Sequence, residues 1–465
     1  MLLSTIYLLQ SCEKHEDYNV PDNLRINDFV WKGLNLYYLW QPFVPYLDDE
    51  RFGSQQELNG FLSGYSDPAV LFNNLLIDES LDRFSVIFSN YNTLEGLLSG
   101  TTKNNGVDYG LRYKSGSNTE IFGWVRYILP NSDASGKDIH RGDIFYAVNG
   151  ESLTINNYKS LLANDTYTLN LADYDSGNIT PNGETVTLTK TIYSENPVLI
   201  SQVINSGDNK IGYMVYNGFY PNYESQLNNA FGQLKSEGVT DLILDLRYNS
   251  GGSIATASRL ASMITGQFDG QLLGKEQWNA KAQAHLEGLN QDDLINKFTA
   301  KLGNNATISS LNLMRVYVLT SRSTASASEL IINCLEPYID VIQIGDVTTG
   351  KNVGSITLYD SADFKPEGRT SRHTYAMQPI VLKIVNKDGF GDYTNGLNPD
   401  YALIEDLGNL DVLGNETEPL LSTAIGIITS DGRLVRQNPD KIFKHFKDLK
   451  TINRQDQMYV EQTPR

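Results

Sequence analysis

The sequence predicts a multi-domain α/β protein, and three observations carry that expectation. Residues 210–265 and 314–351 alternate short, β-branched apolar runs with segments whose apolar residues recur at helical spacing. Residues from about 100 to 190 read instead as short strands divided by polar turns. Residues 25–90 read mostly as helix.

The chain begins with a short apolar run, MLLSTIYLLQSC. The run resembles a bacterial lipoprotein signal, which implies Cys12 as a lipidated first mature residue. It lacks the basic residues that precede the apolar core of such signals, so an ordinary apolar terminus stays open. Residues 13–24 are polar, with Glu13, Glu16 and Asp17, and read as a tether. No later segment offers the ~18 unbroken apolar residues that span a bilayer.

In the helical region, Asn27 or Asp28 is placed to cap a helix carrying Phe29, Val30, Leu34, Tyr37 and Tyr38 on one face. Trp31 and Trp40 add bulk, and an aromatic stripe at this spacing reads as core rather than as a ligand site.

The strand-rich region contains a strand over 125–129 and the run Gly142-Asp143-Ile144-Phe145-Tyr146-Ala147-Val148-Asn149-Gly150. Read plainly, the run is a strand closed by an Asn-Gly turn. It also resembles the G-D-x-I-x-x-V-N-G signature of PDZ domains, which implies a module that takes up a polypeptide C-terminus as an added strand. The nearest candidate for the loop that would hold its carboxylate is Tyr109-Gly110-Leu111-Arg112.

A strand, KIGYMV, opens the next region and is followed by a helix with Leu227, Phe231 and Leu234 on one face. A second strand, DLILDL, runs into Arg247-Tyr248-Asn249-Ser250-Gly251-Gly252 and a helix from about Ser253. Residues 268–310 are a polar, partly helical insertion. Residues 314–320 form a third strand, 321–324 a turn, and Leu330, Ile331, Cys334 and Leu335 the apolar face of a helix beginning at Ser326. A fourth strand over 341–344 leads through Gly345 and Gly350 to Lys351. A strand–turn–helix of this kind sets Ser326 at a helix N-terminus, where the dipole and the next backbone N–H favour developing negative charge. The plain alternative is a capping box, Ser326-x-x-Glu329, with Lys351 a solvated lysine.

Thr324-Ala325-Ser326-Ala327-Ser328-Glu329 resembles the nucleophile motif of the C-terminal processing (tail-specific) serine proteases. In that family a lysine base follows after 25 residues and a Gly-x-x-x-x-Gly run; here 351 − 326 = 25, and Gly345-Asp346-Val347-Thr348-Thr349-Gly350-Lys351 has that form. Arg247–Gly252, Leu81-Asp82-Arg83-Phe84-Ser85 and Gly396-Leu397-Asn398-Pro399-Asp400 resemble further family segments. The resemblance implies a crotonase-like α/β core in which Ser326 attacks the scissile carbonyl and Lys351 is the general base. It implies oxyanion donors at Gly251 or Gly252 and at Ala327. Ser355 stands where many relatives carry a glutamine that orients the lysine. A lysine base must be neutral, which burial favours. No histidine is required, and His15, His140, His285, His373 and His445 read as surface or structural residues.

Composition narrows the partners. With Lys plus Arg at 37 and Asp plus Glu at 55 the net charge is −18, which gives no electrostatic footing for nucleic acid or for an anionic membrane surface. Of the two cysteines, Cys334 reads as a small core residue, and no metal-type cluster or disulfide framework is present. No cofactor is implied. The expected organisation is a signal over 1–12, a tether over 13–24, a helical domain over 25–100, a PDZ-like domain over 101–192, a protease core over 193–432 and a tail over 433–465. The expected function is a lipid-anchored serine endopeptidase of the cell envelope acting on protein or peptide C-terminal tails. The alternative is an inactive peptide-binding lipoprotein on the same fold.

Overall fold

The structure is a computed structural model that describes residues 20–175, 177–289, 291–429, 443–453 and 457–461. Cys12 and most of the expected tether lie outside the described residues.

A 3-10 turn, Asp22–Leu24, leads directly into the helix Arg25–Tyr37, so the helix starts before the expected caps. Asn27 and Asp28 are therefore interior and buried. Asn27 Nδ2 donates to the carbonyls of Leu62 (3.2 Å) and Tyr65 (2.8 Å), tying this helix to the next pair. Phe29, Val30, Leu34 and Tyr38 join Leu227, Phe231, Leu330 and Leu382 in one apolar cluster. The helical region thus shares its core with the helices Glu224–Ser236 and Ala327–Leu335.

The strand-rich region builds a seven-stranded sheet with its own core of Val107, Leu111, Phe145, Leu169 and Leu188. Ile144–Val148 and Glu151–Ser152 form a hairpin whose turn, Asn149 and Gly150, has φ of 52° and 81°. Both central residues of a type I′ turn need positive φ, which is why Asn-Gly stands there. Tyr109-Gly110-Leu111-Arg112 is not a loop. It lies within the strand Val107–Tyr113, paired on one side with Ile121–Ile128 and on the other with His445–Asp448.

The central sheet has the order Val198–Ser206, Asn209–Tyr216, Asp241–Asp245, Arg315–Thr320, Asp340–Gly345, Tyr401–Ala402. The first pair is antiparallel and the rest are parallel. The helices Glu224–Ser236 and Ala327–Leu335 provide crossovers. Because neighbouring strands are parallel, the loops after Asp245, Thr320 and Gly345 all emerge at one end of the sheet. Their carboxyl ends are where open α/β sheets place their sites.

A second sheet has the order Gly252–Ser253, Met458–Tyr459, Val353–Ser355, Ile380–Asn386, Leu272–Trp278, Ile295–Lys297. The insertion expected to be polar and partly helical thus gives two strands around the helix Ala280–Leu289. The expected C-terminal tail is likewise built into the fold: His445–Asp448 edges the seven-stranded sheet, and Met458–Tyr459 sits between two strands of the second sheet. Such short strands carry too few residues to show a period, and pairing rather than pattern holds them. Among the described residues no helix is long and apolar enough to cross a membrane, and no group of side chains is arranged to hold a metal ion.

Candidate active site

Ser326 is the N-cap of Ala327–Leu335 and has φ 68° and ψ −120°. A non-glycine residue there is strained, and surrounding contacts must hold it. They come from the Gly-Gly loop. Ala325 N–H and Ser328 Oγ donate to Asn249 O, each at 3.1 Å, and Thr324 Oγ1 donates to Leu246 O at 2.9 Å. Ser321 Oγ donates to Arg247 O. Gly251 has φ 110°, and a Cβ on it would lie 2.5 Å from Ser326 Cβ and 2.7 Å from Ser326 Oγ. Gly252 has φ 140°, and its Cβ would meet Phe219 O at 2.4 Å. Only glycine fits either position.

Of the expected oxyanion donors, Gly251 spends its N–H on Asn249 Oδ1 at 2.9 Å. Ala327 is the first residue of its helix, where an N–H has no intrahelical acceptor. Gly252 is bridged to Phe219 and paired with Met458.

Lys351 is 0% exposed. Its Nζ lies 4.5 Å from the centre of the Phe84 ring and 3.3 Å from Gln457 Oε1, to which it donates. Phe84 is fixed by Asp82, whose Oδ1 accepts from the N–H groups of Phe84 (3.1 Å) and Ser85 (2.9 Å). Arg83 donates to Gly350 O at 3.0 Å. The Leu81–Ser85 motif is therefore part of the lysine's setting. Ser355 does not hold the lysine's amine: its hydroxyl is 3.0 Å from Met458 O and 3.3 Å from Gln378 Oε1. Gln457 supplies the amide oxygen there instead.

Glu329 joins the two loops. Its Oε2 accepts from Ser326 N–H at 2.7 Å and Lys351 N–H at 2.8 Å; its Oε1 accepts from Gly350 N–H at 2.6 Å and Thr348 Oγ1 at 2.5 Å. Burial pushes this carboxyl above its ordinary range, and the four hydrogen bonds pull it back only in part. Of the expected capping box, the half running from Ser326 N–H to Glu329 is thus present, and its carboxylate serves the lysine loop as well. Ser326 Oγ itself is buried and has no hydrogen-bond partner among the described residues.

Beneath the Gly-Gly loop, Arg247 is 0% exposed and paired with Glu418 (2.7 Å), Asp245 (2.8 Å) and Glu405 (3.2 Å). Burial would raise the Glu405 carboxyl, but the guanidiniums of Arg141 and Arg247 prevail and hold it at about 2. Arg141 comes from the strand-rich region and donates to Tyr248 Oη at 2.6 Å. Arg126 donates to Ser323 Oγ at 2.7 Å, and Ser323 Oγ donates to Asp448 Oδ2 at 2.8 Å. The strand-rich region therefore touches both site loops. A cavity of about 730 Å³ opens elsewhere, among Arg25, Trp31, Phe52 and Phe364, and neither Ser326 nor Lys351 lines it.

Sequence reasoning placed Ser326, Lys351 and the glycines together but missed Phe84, Gln457, Glu405 and Glu418 as contributors. Phe84 was visible as part of a motif without a role. Gln457 and Glu405 sit in segments with no local signal, and Glu418 carries only that of a helix start before Pro419.

Comparison with known proteins gives this site its class. The profile of peptidase family S41 matches residues 210–377, which contain both loops and Lys351, and that of the peptidase S41 N-terminal domain matches residues 25–86. A structure described as an S41 protease, from Bacteroides fragilis, is 27% identical with a TM-score of 0.66, covering 89% of this chain and 98% of that one. The photosystem II D1 C-terminal processing protease shares the fold, at 19% identity and a TM-score of 0.51 over 90% of this chain and all of that one. Among curated relatives, the carboxyl-terminal-processing protease of Picosynechococcus is 25% identical over 53% of this chain. The chloroplastic C-terminal processing peptidase of Tetradesmus obliquus is 24% identical over 70% of it. The matches span 52% and 68% of those two relatives' own lengths. Over residues 25–86 and 210–377 the chain is similar to peptidase family S41.

Proposed function

We propose that the protein is a serine endopeptidase of the C-terminal processing type, working with Ser326 and Lys351. The observation that carries this reading is the shared anchor: one Glu329 oxygen holds the backbones of both residues, while Gly251 packs against the Ser326 side chain. In the reaction Ser326 Oγ attacks the scissile carbonyl carbon as the neutral Lys351 amine takes its proton. On this reading Ala327 N–H and, once its pairing with Met458 is released, Gly252 N–H donate to the oxyanion, with Gly251 allowing the close approach. The C–N bond then breaks, and Lys351 returns the proton to the leaving amine. Water, with Lys351 again as base, cleaves the acyl-serine ester and regenerates the hydroxyl.

The substrates on this reading are proteins or peptides engaged near their C-termini. The Leu-Gln-Ser-Cys run supports a lipid anchor on Cys12 that keeps the enzyme at the bacterial envelope. Cys12→Ser should release the protein from the membrane fraction, and unchanged fractionation rejects the anchor.

The catalytic reading is tested by peptide hydrolysis and fluorophosphonate labelling. Ser326→Ala and Lys351→Ala should each abolish turnover in folded protein. Lys351→Arg should be equally inactive, because a guanidinium does not give up its proton in the working pH range. A folded Lys351→Arg protein with wild-type turnover overturns the mechanism.

A further inference from the structure

The nucleophile of a peptidase has to be reached by a polypeptide, yet Ser326 is 0% exposed. Beside the site, against Lys351 and Gly252, lies the segment Gln457 to Glu461. Met458–Tyr459 pairs in parallel with Gly252–Ser253 on one side, and Tyr459 pairs with Ser355 on the other. Val460 N–H donates to Ser355 O at 3.1 Å, and Ser355 Oγ donates to Met458 O at 3.0 Å. Ser253 Oγ donates to Glu461, and Tyr459 Oη donates to Leu98 O at 2.9 Å. Met458 is 0% exposed. The segment thus runs as a strand between the Gly-Gly loop and the strand that follows Lys351.

The same segment engages the base. Lys351 Nζ donates to Gln457 Oε1, whereas Ser326 Oγ makes no hydrogen bond, so in this arrangement the amine is not bonded to the hydroxyl it would deprotonate. A strand with backbone bonds to both walls of the cleft, one side chain on the lysine and one on Ser253 occupies the place suited to an extended polypeptide. Strand addition recognises backbone first and takes specificity from alternate side chains, so one extended chain can replace another there.

We propose that Gln457–Glu461 is a resting-state occupant of the catalytic cleft, and that an extended polypeptide substrate works by displacing it and taking its strand position. This rests on Ser326 and Lys351 being the catalytic pair. A protein that is open only part of the time shows activity reduced by its open fraction, so removing the occupant raises the rate in proportion.

The test compares fluorophosphonate labelling of Ser326 in three proteins: the full chain, the chain ended after Asn453, and full-length Met458→Asp. The last keeps the chain length but sets a carboxylate in an apolar slot, which expels the strand. Thermal unfolding checks that each is folded, and Ser326→Ala is the blank. Both altered proteins should label faster by about tenfold or more, for a cleft open about a tenth of the time. A synthetic peptide of residues 454–465 should slow the shortened chain again. Labelling at the full chain's rate in both, still dependent on Ser326, overturns the occupant while leaving the catalytic pair standing. Slower labelling in both also overturns it, showing that the segment completes the site. Absence of Ser326-dependent labelling in all three removes the catalytic pair and the occupant with it.

Discussion

Ser326 and Lys351, 25 residues apart in the chain (351 − 326), hang from the same carboxylate oxygen: Glu329 Oε2 accepts the backbone N–H of each, at 2.7 and 2.8 Å. The serine loop and the lysine loop leave adjacent parallel strands, so the sheet brings them to one end but does not fix their mutual position. Glu329 does. It is the third residue of the helix Ala327–Leu335 and reaches both its own N-cap and the neighbouring loop.

Glu329→Ala should therefore damage both stability and turnover. It strips the acceptor from four buried donors, on Ser326, Thr348, Gly350 and Lys351. A buried donor left unpaired costs ~1–3 kcal/mol, so a loss of about 3 kcal/mol or more is expected in urea unfolding. Glu329→Gln keeps one acceptor oxygen and turns an NH₂ toward N–H groups, so it should fall between wild type and alanine in both measurements. Wild-type stability in Glu329→Ala would show that the carboxylate does not tie the loops.

The serine turn was legible because it is local: a strand, a six-residue turn and a helix with apolar residues at 330, 331, 334 and 335. The Asn149-Gly150 turn was legible for the same reason, since its backbone demands those residue types. What escaped is non-local. Gln457 meets Lys351 across 106 positions and Glu418 meets Arg247 across 171, and no spacing rule connects such pairs. Ser355 was assigned from a position in a motif, but its hydroxyl is used by the strand beside it. Tyr109–Arg112 reads as a loop only by the PDZ resemblance of the run at 142–150; the partner strand that makes it interior, His445–Asp448, is more than 300 residues away in sequence.

Gly251→Ala should slow the enzyme far more than it unfolds it. The glycine's φ of 110° is a region nearly closed to alanine, which costs ~1–3 kcal/mol. The greater effect is at the nucleophile, because the new methyl would stand 2.5 Å from Ser326 Cβ and must push it aside. A displacement near 1 Å can cost ~10²-fold in rate. Steady-state hydrolysis should show the loss in kcat, with unfolding midpoints reporting the smaller stability change. Unimpaired kcat would mean that the nucleophile does not use this contact.

The last expectation concerns acid. His445 lies on the strand that edges the seven-stranded sheet, opposite Arg112. Its pKa is pushed down to about 4, first by burial and further by the guanidiniums of Arg126, Arg112 and Arg322, against the opposing pull of Asp448. In the unfolded chain an ordinary histidine titrates near ~6.5. Between those values the unfolded state binds a proton that the folded state refuses, so stability must fall as the pH drops through the window from about 6.5 to about 4. Above the window the group contributes no pH dependence. His445→Gln removes the titration while keeping a neutral polar side chain. Urea unfolding at pH 7, 5.5 and 4 should therefore show wild type losing stability faster than the variant across that interval. Carboxylates away from His445 affect both proteins alike and cancel in the comparison, and the neighbouring Asp448 is read together with the histidine. Parallel profiles for the two proteins would show that His445 takes up its proton in the fold as readily as in the open chain.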